Sequence, residues 1–253
     1  MKKILEIKKI TKKIENETAN DRLLLDQVDL TIYPGDFITI LGGNGAGKST
    51  LFNSIAGSSS INQGDIQFDG KSIINYPEEK RAQFIGRVFQ DPKMGTAPRM
   101  TVAENLLLAL NRGKKRRFLP RRLQENIVHF KELCAQVGNG LENHLQTPTG
   151  YLSGGQRQSL SLLMTTLTKP AILLLDEHTA SLDPKSSEQL MTLTQERINN
   201  KNLTCLMITH DMEDALFYGN RLLLMKNGKI QLDLQQTDKE KFTKRELLRL
   251  FDQ

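Results

Sequence analysis

Residues 42–50 read GGNGAGKST, and their neighbours decide how that stretch folds. Gly42, Gly47, Lys48 and Ser49 fit the spacing G-x-x-x-x-G-K-[ST] of a phosphate-binding loop. Ahead of it, Phe37–Leu41 (FITIL) is a short apolar, β-branched run that predicts a buried strand. Behind it, residues 49–56 (STLFNSIA) predict a helix that stops at Gly57. A glycine-rich turn between strand and helix lets main-chain N–H groups converge on phosphate oxygens without Cβ clashes, and the helix N-terminus adds a favourable dipole. Gly43, Asn44, Gly45, Ala46 and Thr50 complete the cradle. In it, Lys48 is expected to reach the β- and γ-phosphates and the Ser49 hydroxyl to hold Mg²⁺.

A second element supports the first. Residues 171–177 read AILLLDE. The leucines suit a strand buried on both faces, as in a parallel sheet. Asp176 and Glu177 then emerge at its carboxyl end, where α/β sheets place their ligands. A strand-ending Asp-Glu pair is common and usually only solvated. Downstream of a phosphate loop, Asp176 is instead expected to support Mg²⁺ and Glu177 to act as general base on the attacking water.

Residues 152–156 read LSGGQ and open an apolar stretch expected to be helical over residues 156–168, with Pro170 beyond its end. Ser153 is a good N-cap, and Gly154 and Gly155 keep the backbone open, so this helix start suits a second anion. Further on come SLD (Ser181, Leu182, Asp183), with Pro184 suited to open the next helix, and a run LTCLMITH that ends on Thr209 and His210. Gln90 closes another strand-like run, IGRVFQ.

These five elements, in this order, resemble the ATP-binding subunit of an ABC transporter, and the resemblance runs from the start of the chain to about Leu232. It implies an α/β P-loop fold of the ABC type, with an inserted helical subdomain and an N-terminal antiparallel β subdomain. It implies ATP as substrate and Mg²⁺ as cofactor, the ion held by Ser49, Gln90 and Asp176. His210 would contact the γ-phosphate and couple to Glu177. Ser153, Gly154, Gly155 and Gln156 would bind the γ-phosphate of ATP held by a partner subunit. The expected assembly is thus a homodimer, or a pair with another ABC ATPase subunit, with ATP at the interface. An integral membrane permease and an extracytoplasmic solute-binding protein are the further partners implied, and the location is the cytoplasmic face of the membrane. Residues 89–106 and 173–184 are similar to a tryptophan/tyrosine-type amino-acid uptake subgroup. A non-transport, single-cassette ATPase, such as the iron–sulfur assembly type, is the alternative.

Two positions depart from the family pattern. Where most members carry an adenine-stacking aromatic, this chain has Ile14, and Tyr33 and Phe37 lie too close to the loop strand to replace it. Either base stacking is weak, or the inserted residues 15–22 supply a substitute. His178 stands where proline is more common and is read as a subgroup marker.

The rest of the chain agrees. Its 253 residues suit one domain: a nucleotide-binding core of residues 1–90 and 158–253, and a helical subdomain of residues 91–157. Within the latter, residues 101–110 begin with a Thr-x-x-Glu capping box and residues 123–137 predict a second helix. Residues 91–100 are expected to meet a permease, and residues 239–251 to form an amphipathic helix packed on the core. No apolar run approaches the ~20 residues of a membrane span, and no signal peptide is expected. Two cysteines make no disulfide framework, and the four histidines show no metal-ligand spacing. The formal net charge is +6, densest in GKKRRFLPRR at residues 113–122. That run lacks aromatic interleaving for bases and reads as a solvated loop, so no nucleic-acid partner is expected.

Overall fold

A computed structural model describes residues 2–14, 22–114 and 122–252. In chain order the elements are β1 (Leu5–Ile14), β2 (Arg22–Ile32), β3 (Phe37–Leu41), α1 (Lys48–Ala56), β4 (Gln63–Phe68), β5 (Lys71–Ser72), α2 (Glu78–Arg81), β6 (Ile85–Val88), α3 (Val102–Leu110), α4 (Leu123–Ala135), α5 (Gly154–Leu167), β7 (Ile172–Asp176), α6 (Pro184–Lys201), β8 (Thr204–Ile208), α7 (Met212–Phe217), β9 (Arg221–Lys226), β10 (Lys229–Gln235), α8 (Gln236–Lys239) and α9 (Lys244–Asp252). The chain forms two compact units, Met1–Ile85 with Leu203–Gln253, and Gly86–Asn202. Most of the basic run, residues 115–121, lies outside the described residues, as do residues 15–21 of the inserted loop.

The first unit holds an antiparallel sheet in the order β2-β1-β4-β5. It also holds β3, which runs parallel to both β8 and β9, with β10 antiparallel to β9. Every residue of β3 and β8 is buried, as expected for parallel strands covered on both faces. Arg221 joins the two sets of strands. Its guanidinium grips Asp233 of β10 through two bonds of 2.6 and 2.7 Å and donates to the Thr31 carbonyl of β2 at 2.7 Å. Helix α1 stops at Gly57, as the sequence predicts, with the Gly57 N–H on the Asn53 carbonyl. Arg81, itself buried, donates to the carbonyls of Ser54 and Ile55 at that helix end.

The C-terminal segment differs from its expectation. One helix is expected over residues 239–251; the helix that forms there, α9, starts only at Lys244, and the short α8 before it ends at Lys239. Thr243 caps α9: its hydroxyl accepts the Glu246 N–H, and the Glu246 carboxylate accepts the Thr243 N–H. That reciprocal pair fixes the start of α9. Leu247 still packs on the core, against Leu41, Ala215, Leu222 and Leu224.

In the second unit β7 is hydrogen-bonded beside β6, and α3, α4, α5 and α6 complete it. The Thr101–Glu104 capping box at the start of α3 forms as the sequence predicts. Buried Asn105 accepts the Ala97 N–H and donates to the carbonyls of Ala97, Met100 and Thr101, which shapes the segment before α3. Helix α4 ends at Ala135, two residues earlier than expected, and α5 begins at Gly154, two residues earlier.

Candidate functional site

The first unit carries the phosphate loop between β3 and α1. Gly47 caps α1 at φ 100°, and a Cβ there would stand 2.7 Å from the Leu24 carbonyl oxygen. Only glycine takes that conformation in that space without strain. Among the described residues no side chain caps α1, and its first turn has no acidic residue. A helix start without a side-chain cap or an acidic first turn suits an anion. Gly43, Asn44 and Gly45 are exposed, Ala46 is buried, and open space surrounds the position of a Gly43 Cβ. Lys48 is buried, and its ammonium donates to the carbonyls of Gly42 at 2.6 Å and Gly43 at 3.2 Å. Ser49 is exposed and Thr50 half-buried.

His210 belongs to the same edge of this unit. β3 and β8 are parallel neighbours, with Ile40 opposite Ile208, so the phosphate loop and His210 leave adjacent strands at their carboxyl ends. The Thr209 N–H donates to the Ile40 carbonyl, and the Thr209 hydroxyl accepts the Asp211 N–H. Asp211 then caps α7. These bonds fix the turn and leave the His210 side chain exposed.

The second unit gathers Gln90, Asp176 and Glu177. Asp176 ends β7, and its Oδ2 lies 2.7 Å from the Arg87 guanidinium. Arg87 also lies over the Phe89 ring. Gln90 follows β6, and its Nε2 reaches toward Glu177 Oε2 at 3.4 Å. Glu177 has φ 44°, a left-handed conformation, and its carbonyl accepts the Ala180 N–H. His178 is fully buried and faces Thr194 Oγ1 at 3.1 Å. The Thr194 hydroxyl already donates to the Leu190 carbonyl, so the His178 Nε2 supplies the hydrogen in this pair. Burial pushes the His178 pKa down to about 4, so the ring is neutral near pH 7.

The start of α5 is built as the sequence predicts. Ser153 and Gln156 form a capping box, and the Gln156 Nε2 also donates to the Asn139 carbonyl. Gly155 sits where a Cβ would come within 3.1 Å of the Ser186 hydroxyl, so a small residue lets this helix start approach α6. Asp183 caps α6 and Pro184 opens it. Helix α5 also holds the segment after β6: Gln158 Nε2 donates to the Phe89 carbonyl at 2.8 Å, and Arg157 Nε to Thr96 Oγ1 at 2.6 Å.

Three side chains here escape a reading of motifs alone. An arginine inside the apolar run IGRVF was the available signal for Arg87. Gln158 sits two residues past LSGGQ and gives no local hint of its partner. For His178, nothing short of the fold reveals burial.

A fold of this kind, with a glycine-built phosphate loop and an Asp-Glu strand end, defines a P-loop ATPase. The chain belongs to the ABC transporter family, whose model matches residues 25–180. It is the ATP-hydrolysing subunit of a membrane transporter of that family. It is 43% identical over 249 residues to the tyrosine transport ATP-binding protein of Clostridioides difficile, covering 98% of this chain and 99% of that one. A spermidine/putrescine import ATP-binding protein of Pasteurella multocida is 32% identical over 92% of this chain, which spans 58% of that relative's length. Among solved structures, a dimeric ATP-binding cassette in a post-hydrolysis state, bound to ADP and Pi, superposes with a TM-score of 0.78 at 25% identity, over 92% of this chain and 98% of that one. The cbiO1 subunit of a Clostridium perfringens ABC transporter complex gives 0.76 at 28% identity, over 99% and 94%.

Proposed function

We propose that this chain drives a bacterial uptake system for an amino acid or a similar small solute. The observation that carries the substrate class is the 43% identity, over nearly the whole of both chains, to a tyrosine transport ATP-binding protein. The import proteins for spermidine/putrescine and for Fe(3+) ions among the further relatives support the direction. We divide the chain into a nucleotide-binding core of residues 1–90 and 158–253 and a helical subdomain of residues 91–157.

Gly42, Gly43, Asn44, Gly45, Ala46, Gly47, Lys48, Ser49 and Thr50 hold the ATP phosphates. Ser49, Gln90 and Asp176 would hold Mg²⁺. Their hydroxyl, amide and carboxylate oxygens are the hard donors this ion takes, and Gln90, with its Nε2 toward Glu177, has its Oε1 for a cation. When bound, the ion offsets charge on the β- and γ-phosphate oxygens. Glu177 accepts the proton of the attacking water, and His210 contacts the γ-phosphate. Ser153, Gly154, Gly155 and Gln156 receive the γ-phosphate of ATP on a partner subunit, so the working form is a dimer.

Residues 91–100 are the contact for the permease, and Met94, 69% exposed within them, supports an apolar docking surface. Through the permease the chain sits at the cytoplasmic face of the membrane, and an extracytoplasmic solute-binding protein delivers the solute. Glu177→Gln tests the chemistry. ATP binding is expected to persist, turnover to fall by about a hundredfold or more, and ATP-bound dimers to accumulate in light scattering. Wild-type phosphate release from this variant would remove Glu177 from the reaction.

A further inference from the structure

Arg22 belongs to none of the family motifs, yet it reaches the phosphate loop. It opens β2 and pairs across the antiparallel ladder with Ile14, the last residue of β1. Directly opposed residues in such a ladder share a face, with Cβ atoms roughly 4.5–5.5 Å apart. The stem of Arg22 therefore starts beside the position where an adenine-stacking aromatic is lacking. From there its guanidinium crosses to the loop: a terminal nitrogen lies 3.3 Å from where Gly45 would carry a Cβ. Gly45 is exposed, and so is Arg22. Lys48 reaches the loop from within, with its ammonium on the carbonyls of Gly42 and Gly43, whereas Arg22 reaches it from the solvent side.

A guanidinium is permanently charged, weakly hydrated and presents a planar fork of donors that matches phosphate oxygens. We propose that Arg22 is a phosphate-binding residue of the nucleotide site, a second cation beside Lys48 that grips a nucleoside triphosphate by its phosphates instead of its base. The position of the guanidinium tip decides between the two ends of the ligand, because Gly45 is part of the main-chain cradle. This inference rests on the ATP-site reading and deepens it. A site without an aromatic platform gains its affinity where the charge is.

The test is a calorimetric titration of the whole chain, as wild type, Arg22→Ala and Arg22→Lys, with ATP, GTP and inorganic triphosphate at fixed Mg²⁺. Loss of one charge-assisted contact is expected to weaken all three ligands alike, by about tenfold or more, in Arg22→Ala. Arg22→Lys keeps the charge and is expected to recover most of the loss. Equal binding by wild type and Arg22→Ala overturns the proposal while the ATP site stands. Weaker ATP and GTP with unchanged triphosphate also overturns it, by moving Arg22 to the base. Failure of the wild type to bind any of the three removes the nucleotide site itself.

Discussion

The phosphate loop and the turn that follows β7 do similar work with different materials. Both project chemistry from the carboxyl end of a buried strand. The loop is made of main chain. Its geometry depends on side chains that are absent, above all at Gly47, where φ is 100° and a Cβ would meet the Leu24 carbonyl. The β7 turn depends on side chains that are present and partnered. Arg87 holds Asp176, Thr194 holds His178, and Gln90 reaches toward Glu177, whose φ of 44° costs a non-glycine residue about 1–2 kcal/mol. A main-chain site resists pH and fails when one atom is added. A side-chain site tolerates added atoms at its surface and fails when a buried partner changes charge.

The sharpest break of the first kind is Gly47→Ala. The methyl group would stand 2.7 Å from the Leu24 oxygen and 3.1 Å from a Leu25 methyl, in a backbone conformation that L side chains rarely adopt. Strain of about 1–3 kcal/mol for the backbone adds to about 1–3 kcal/mol for overpacking. Urea unfolding is expected to report a total loss of about 2–6 kcal/mol, with nucleotide binding lost alongside. Wild-type stability together with wild-type binding would show that the loop relaxes freely and that its glycine is not required.

His178 gives the corresponding break of the second kind. Its pKa is pushed down to about 4 in the folded chain, against about 6.5 for an unfolded histidine. Below pH 6.5 the unfolded chain binds a proton that the folded chain refuses, so stability falls as pH falls, and the loss is complete near pH 4. The full difference is about 3 kcal/mol, on the order of 1.4 kcal/mol per unit. Unfolding free energies measured between pH 7 and 4 are expected to fall less steeply in His178→Gln than in the wild type. Parallel curves for the two proteins would mean that His178 is protonated in place and does not anchor the turn.

The same contrast explains what could be read from the chain alone. The loop was legible because a glycine with positive φ and a lysine-serine pair must be adjacent in sequence to work. The two capping boxes, Thr101 with Glu104 and Ser153 with Gln156, were legible for the same reason: each closes within one helical turn. Thr243 and Glu246 form a third box of the same spacing. An apolar periodicity that continues across residues 239–251 concealed it. The side-chain anchors were not legible because their partners are remote: Arg87 and Asp176 are 89 residues apart, and Arg81 meets Ser54 across 27. Nothing in IGRVF or DEH announces which distant carboxylate or hydroxyl will face it.

The smallest expected effect concerns the base, where the phosphate-led site has least to offer. Ile14 ends β1 and is 45% exposed, so the wild type presents an aliphatic surface where an aromatic ring would stack. ATP and GTP share their triphosphate, and the wild type is expected to bind them with similar affinity. Ile14→Tyr supplies a π-face worth roughly 1–3 kcal/mol for a stacked base. The lower end applies here, because an exposed platform stacks against water on its other side. A gain of about fivefold for ATP is therefore expected, with inorganic triphosphate unchanged, since a ring adds nothing to the phosphate grip. Competition titrations with the three ligands check this. A strong wild-type preference for ATP with no gain in the variant would place the adenine on residues 15–22 and separate the base end of the site from Ile14. A gain for triphosphate as large as that for ATP would instead show that residue 14 acts on the loop, and the division between a main-chain phosphate site and a bare base platform would fail.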